Sequence, residues 1–300
     1  MELHNLNNEG TEGNQQQTRM AHVVLPTGER YSVNAVSGDM FKHIYVEHLT
    51  ALLEEAGQPL SANAMVRNPD RINEDPGFEA ATKDEKAASV VQRVALQKCS
   101  VTDIAGTLIT SNKRSVARKS CVEFGWVVGI PEKVHTEQYF HVKFAPETRE
   151  KSAGAEDGSQ GGKQAIFHRP ASSGVYAFIV HLELDRVGKN DINLKMDVSA
   201  EDVIIRKRAA IQALVATLVK PSGAQRNTQS PHVMGCEGVI SISTGNLPAP
   251  MLSPLADGYE EQVERLAASL NLMKPGTLEV KRFADMADAA GILAELSQRL

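Results

Sequence analysis

Along the first sixty residues the spacing of apolar positions changes once, and that change marks the first elements. "RMAHVVLP" and "ERYSVNAV" alternate on either side of Pro26-Thr27-Gly28 and predict a hairpin of two short strands. From Ser37 the period lengthens. Phe41, Ile44, Tyr45, His48, Leu52 and Ala56 recur at helical spacing until Gly57, so a helix capped by Ser37 is predicted. Ahead of the hairpin, after barely five residues of strand-like sequence, "HNLNNEGTEGNQQQTR" is polar and punctuated by Gly10 and Gly13. It reads as a long loop, and such loops in compact domains are usually functional or disordered.

Periodicity fades from Pro59 to Lys98 apart from a helical stretch at "ASVVQRVALQK", so residues 59–98 read as an inserted finger or helical subdomain. "SVTDIAGTLIT" and "SCVEFGWVVGIP" read as strands around a basic loop. "QYFHVKF" and "QAIFHRP" flank the apolar-poor "APETREKSAGAEDGSQGGK", which predicts a mobile hairpin tip. "SGVYAFIVHLELD" reads as a strand. "SAEDVIIRKRAAIQALVATLVK" predicts a helix opened by a capping box, Ser199 to Asp202, with Val203, Ile211, Leu214, Val215 and Leu218 on its apolar face. "CEGVISIS" reads as a last core strand, and residues 255–300 as an extension ending in the amphipathic "ADMADAAGILAELSQRL". The order strand, helix, two strands, helix, strand predicts an α+β chain: a modified ferredoxin-like, RNA-recognition-motif palm expanded by insertions.

Composition narrows the function class. The 300 residues are 42% hydrophobic, enough for a packed core, with no apolar run near 18 residues and no basic-then-apolar leader, so a cytoplasmic protein is expected. Cys99, Cys121 and Cys236 are odd in number and far apart, which fits free thiols better than disulfides or a zinc site. A net charge of −5 gives no general attraction to nucleic acid, so any such site must be a local patch. "KRSVARK", with Lys113, Arg114, Arg118 and Lys119, is one basic patch; "RKR", Arg206 to Arg208, is another.

No enzyme motif emerges. His43 and His48 are five apart and do not share the helical face that a metal-binding pair four apart would, and GxSxG, Walker and dinucleotide patterns are missing. The expectation is no catalytic residue, no metal and no cofactor. A binding reading fares better. Ser37 and Gly38 open a helix whose N–H groups and dipole suit a phosphate, Lys42 projects from its first turns, and His43 beside it can donate a hydrogen bond. "GAQR" after the second long helix offers Gly223 for close backbone approach and Arg226 for a bidentate contact.

In order, "HNLNNEGTEGN...TRMAHVVLP...YSVNAVSGDMFKHIYVEHL", "VTDIAGTLIT...KRSVARKSCVEFGW", "QAIFHRPASSGVYAFIVHLELDRVG" and "PSGAQRN" resemble the DevR autoregulator family of CRISPR-associated proteins, roughly from Leu3 to Pro254. The resemblance implies a RAMP-superfamily, RNA-binding backbone subunit of a type I Cascade complex, stacked in several copies along one CRISPR RNA. It implies a palm built from 1–58, 99–134 and 171–254, and a thumb hairpin from 135–170 that displaces a base. RNA contacts are then expected from Asn7, Asn8 and Arg19 of the opening loop, from Ser37, Gly38, Lys42 and His43, from Lys113, Arg114 and Arg118, and from Gly223 and Arg226. Ile166 and Phe167 are the expected wedge. Partners would be CRISPR RNA, target DNA in an R-loop, further copies of the chain, other Cascade subunits and, at the assembled complex, the helicase-nuclease. Two features differ from relatives: the first strand is only Met1 to His4, and no aspartate is placed as in the target-RNA-cutting subunits of type III complexes. The rival readings are a metal-dependent ribonuclease using Asp39 or Asp103 with a nearby histidine, a type III-like subunit, and a regulator that binds DNA or protein without a guide.

Overall fold

The computed structural model describes residues 1–144, 164–223 and 226–300. Strands β1 (Asn8–Glu12), β2 (Gln15–Thr18), β3 (Met20–Val24) and β4 (Arg30–Val36) precede the long helix α1 (Gly38–Glu55). Shorter helices follow: α2 (Ala62–Met65), α3 (Pro76–Thr82), α4 (Ala88–Lys98) and α5 (Ser100–Ala105). Strands β5 (Thr107–Ile109), β6 (Val116–Arg118), β7 (Val122–Phe124), β8 (Val127–Phe144), β9 (Gln164–Ala177) and β10 (Val180–Leu182) lead to α6 (Ala200–Val219). Then come β11 (Gly238–Ser243), α7 (Tyr259–Met273), β12 (Leu278–Phe283) and α8 (Met286–Gln298). No helix among the described residues is long and apolar enough to cross a membrane.

The chain forms two units, the first comprising Met1–Val36, Val128–Tyr176 and Ala224–Met234, the second the remainder. The first unit is a mixed six-stranded sheet in the order β1-β2-β9-β8-β4-β3. Its β3–β4 hairpin closes as the alternation predicts, through Leu25 N–H to Glu29 O at 2.9 Å, with Gly28 at φ 89° in the turn. The polar opening is not a loop. β1 and β2 pair antiparallel around Gly13 (φ 59°), Asn8 Oδ1 accepts from Gly10 N–H at the register shift, and Gln15 of β2 pairs parallel with His168 of β9. Strands so polar carry no alternation for the sequence to betray.

The second unit is mainly helical. Tyr45, Leu49 and Leu53 of α1 pack against the small residues Ala209, Ala210 and Ala213 of α6, which let the two backbones approach until Tyr45 Oη donates to Ala210 O at 3.1 Å. Ser37 and Ser199 cap α1 and α6 as predicted. The box at Ser199 closes differently, its hydroxyl donating to Asp202 Oδ2 at 2.6 Å while accepting from the Asp202 N–H. Strands β7 and β10 pair antiparallel beside α1.

Two expectations change, at "SVTDIA" and at the last core strand. "SVTDIA" is the helix α5, not a strand; all six residues are buried, and a helix buried all round shows no helical stripe. Residues 59–98 hold α2, α3 and α4, the first two capped by Ser61 and by Asp75 with Pro76 at the first helical position. Strand β11 does not join the six-stranded sheet but pairs antiparallel with β12 in the second unit. All three cysteines are free, as expected. The expected mobile tip lies in 145–163, outside the described residues, as do Ala224 and Gln225 of "GAQR".

Candidate functional site

In the second unit, the first turns of α1 and the segment around β7 line a cleft of about 300 Å³ with Gly38, Asp39, Lys42, Ser120, Val122, Glu123, Phe124 and Trp126. An aromatic cluster stands behind it: Phe124 lies 5.5 Å from Tyr45 and 6.1 Å from Phe178, which in turn lies 5.2 Å from Phe41. Burial pushes the Lys42 ammonium pKa down and the Arg71 charge acts the same way, while Asp39 and Glu123 oppose them. Glu123 also pairs with Lys119 at 2.8 Å. The cleft therefore offers a partly desolvated ammonium, two carboxylates and the indole of Trp126, which is 44% exposed.

Gly38 lines this cleft, and Ser37 precedes it as the cap of α1. Ser37 Oγ accepts from Met40 N–H at 3.2 Å. A Cβ on Gly38 would collide with the Phe124 carbonyl oxygen and stand 3.2 Å from that of Gly125, so the close approach is to backbone, where a phosphate was expected. Gly38→Ala is expected to cost roughly 1–3 kcal/mol as α1 is pushed off β7; an unchanged thermal midpoint would contradict this packing. His43 does not line the cleft; it is exposed and sits 3.3 Å from Glu47.

The basic loop splits. Lys113 is exposed, whereas Arg114 turns back onto the carbonyls of Thr82 and Lys83 at the end of α3, the usual place for a cation at a helix C-terminus. Arg118 is a correction: its side chain is fully buried, paired with Asp103 and Asp191 at 2.8 Å each, and cannot reach RNA. Arg206 of the second basic patch is likewise buried and pairs with Asp103 at 2.9 Å. Arg118 shares its strand face with buried Val116, and Arg206 shares its helix face with buried Val203 and Ala210. Gly223 lies beyond α6, next to the two undescribed residues.

In the first unit, Asn7 is buried and its carbonyl accepts from Arg19 N–H at 3.1 Å, Asn8 holds the β1 turn, and Arg19 pairs with Glu9. Strands β8 and β9 bear rings on both faces. On one face Phe167 stacks on His141 at 5.5 Å and 9°, with the Arg169 guanidinium 4.8 Å from the Phe167 ring centre. On the other, Phe140 (59% exposed) meets His168 edge-on at 5.6 Å. Ile166 shares the His168 face, because neighbours in a strand point to opposite sides. Ile166 and Phe167 therefore cannot form one wedge. The turn holding half-buried Arg226 is tied to β9 through Arg169 Nη1 to Thr228 Oγ1 (3.0 Å) and Gln229 Nε2 to Pro170 O (2.8 Å).

The family model described as "CRISPR-associated negative auto-regulator DevR/Csa2" matches residues 1–264. The chain belongs to the DevR/Csa2 family. A search of curated proteins found no match. Among solved structures, a chain of "CRISPR RNA-guided surveillance complex, pre-nicking" is similar to this DevR/Csa2 chain in fold, with a TM-score of 0.52 and 13% identity over 99% of this chain and 97% of that one. A chain of "CRISPR RNA-guided surveillance complex" aligns with a TM-score of 0.47 and 12% identity, over 98% of this chain and 94% of that one. None of Trp126, His141, His168 and Arg169 was expected as an RNA contact from the DevR/Csa2 sequence. The signal for the last three was present, since "QYFHVKF" and "QAIFHRP" hold rings and cations on alternating strand positions. Trp126 had none, because its place depends on where β7 meets α1.

Proposed function

We propose that this DevR/Csa2 chain is a non-catalytic RNA-binding backbone subunit of a type I Cascade complex, adding head to tail along a CRISPR RNA and presenting it to target DNA. In such a role base pairing reads the sequence, while the protein reads phosphates and RNA shape. The observation that carries this reading is the β8–β9 ribbon, which bears rings on both faces and the Arg169 guanidinium over the ring of Phe167 on one of them, the combination that stacks unpaired bases and attracts a phosphate backbone. The likeness to a chain of an RNA-guided surveillance complex supports the fold on which that role rests. The modified RNA-recognition palm, the thumb at 135–170 and the contacts with other Cascade subunits and the helicase-nuclease belong to the same proposal. Of the two aspartates that the ribonuclease alternative would use, Asp103 has both carboxylate oxygens taken by buried partners.

Phe167→Ala and Ile166→Ala separate the two faces of the ribbon. Loss of a stacked base costs about 1–3 kcal/mol, so whichever face inserts into RNA should weaken assembly roughly ten- to a hundredfold per protomer when its side chain is cut. Mass measurement on guides of stepped length, with thermal unfolding of the same variants, is the check. Unchanged RNA affinity per folded molecule in both variants would sink the ribbon as an RNA contact.

A further inference from the structure

Arg71, between α2 and α3, carries a charge that the described residues do not balance. Its Nη1 donates to Ala105 O at 3.0 Å at the end of α5, its Nε is buried without an acceptor, and among the described residues no carboxylate pairs with it. A cation withdrawn from water in this way is costly unless an anion completes it. The backbone it holds leads to the cleft at the start of α1. Gly106, next to Ala105, packs so closely on Ser120 that a Cβ would stand 2.5 Å from the Ser120 N, and Ser120 lines the cleft with Lys42. Among the described residues Lys42 has no hydrogen bond or ion pair of its own, and the Arg71 charge bears on it more than either carboxylate of the cleft does. Glu123 is engaged by Lys119 at 2.8 Å, which leaves Asp39 as the opposing charge.

We propose that Arg71 and Lys42 together hold one phosphate group at this cleft, supplied by the backbone of the bound RNA. Two cations brought together from separate elements suit an oxyanion, the ammonium as a point charge and the guanidinium through its planar fork. Such a contact positions the strand and reads no base, so it serves every guide alike. It rests on the RNA-binding reading above and adds to it a residue of the 59–98 insertion, where no RNA contact was expected. Hydrogen bonds to charged groups are the stronger kind, which sets the expected loss for either cation at roughly tenfold in affinity.

The test uses the full chain with Lys42→Gln, Arg71→Gln, the two combined, and Asp39→Asn. End-labelled oligouridylate and oligocytidylate are titrated by anisotropy across a salt series, and thermal unfolding of each form is followed in inorganic phosphate and in chloride of equal ionic strength. Each single cation variant should bind both oligomers roughly tenfold more weakly. The combined variant should lower the slope of log affinity against log salt by about 0.7, the value of one single-strand phosphate, which a merely structural role would not move. Asp39→Asn should bind severalfold more tightly, since it removes a charge that repels phosphate. Should Arg71→Gln fail to fold without its bond to Ala105 O, Lys42→Gln alone carries the comparison. Unchanged affinity and slope in folded variants, or weaker binding by Asp39→Asn, overturn the RNA contact while the RNA-binding reading keeps its ribbon. If phosphate then still raises the midpoint of the unaltered chain and not that of the combined variant, the site takes free phosphate; if it raises neither, the site itself is overturned. An unaltered chain that binds neither oligomer overturns the RNA-binding reading, and the phosphate contact to RNA falls with it.

Discussion

Replacing Asp103 by Asn is expected to remove about 3–5 kcal/mol of stability, the scale for breaking a buried ion pair from one side. Asp103 is fully buried and serves two guanidinium groups at once. Its Oδ1 accepts from Arg118 Nη2 at 2.8 Å and its Oδ2 from Arg206 Nη1 at 2.9 Å, and both oxygens face Gly188 N–H at about 3.0 Å. Arg118 keeps Asp191 as a second acidic partner, but among the described residues Arg206 has no other carboxylate in ion-pair contact and would be left with Gln58 Oε1, Leu96 O and the more distant charge of Asp202. An amide can accept at one position and must donate at the other, directly toward a cation. Against a typical total of about 5–15 kcal/mol, the loss is large. Urea unfolding should show a lower midpoint with an unchanged slope. A loss below about 1 kcal/mol would mean that the network contributes little beyond packing.

Acid should weaken the protein through His4 before its carboxylates titrate. His4 is 1% exposed, neither ring nitrogen has a hydrogen-bond partner among the described residues, and its ring meets Tyr176 edge-on at 5.1 Å. Burial, with the positive amino terminus adding to it, pushes its pKa down from 6.5 to about 4. The unfolded chain takes up a proton near pH 6.5 and the folded chain only near pH 4, so between those values the unfolded state holds more protons. Stability from this group is therefore complete above pH 6.5 and is lost as pH falls toward 4, by as much as about 3 kcal/mol. His4→Phe, which keeps the ring beside Tyr176 but cannot titrate, should flatten that part of the profile. Urea midpoints of both forms across the window are the measurement. An identical slope in the two would show that His4 does not carry it.

The candidate site was only half legible in the sequence. Lys42 was readable because its helix announces itself through Ser37, the apolar spacing and Gly57, and a residue one turn inside such a helix has a known direction. Gly38 was readable as a close approach, but the atom approaching it, the Phe124 carbonyl, was not. The two aromatic faces of β8 and β9 follow from strand alternation once both strands are placed, yet the sequence reading treated Ile166 and Phe167 as equivalent, which alternation forbids. Trp126 gave no local sign of a role. It enters the site only because Ser120 to Trp126 run past the first turn of α1, more than eighty residues away in the chain.

Sequence alone determined the elements whose signals are local: the β3–β4 hairpin, α1, α4, α6 and α8, each set by a period, a cap or a turn residue within a few positions. It also determined the family, through the order of those segments. Only the tertiary structure decided which charges face water. Arg118 and Arg206 look like members of basic surface runs, and what draws them inward is one carboxylate 15 residues from the first and 103 from the second. A lone arginine would not be buried at that cost in desolvation; a pair converging on Asp103 is. That convergence exists only once α5, β6 and α6 have met, so no window of sequence contains it.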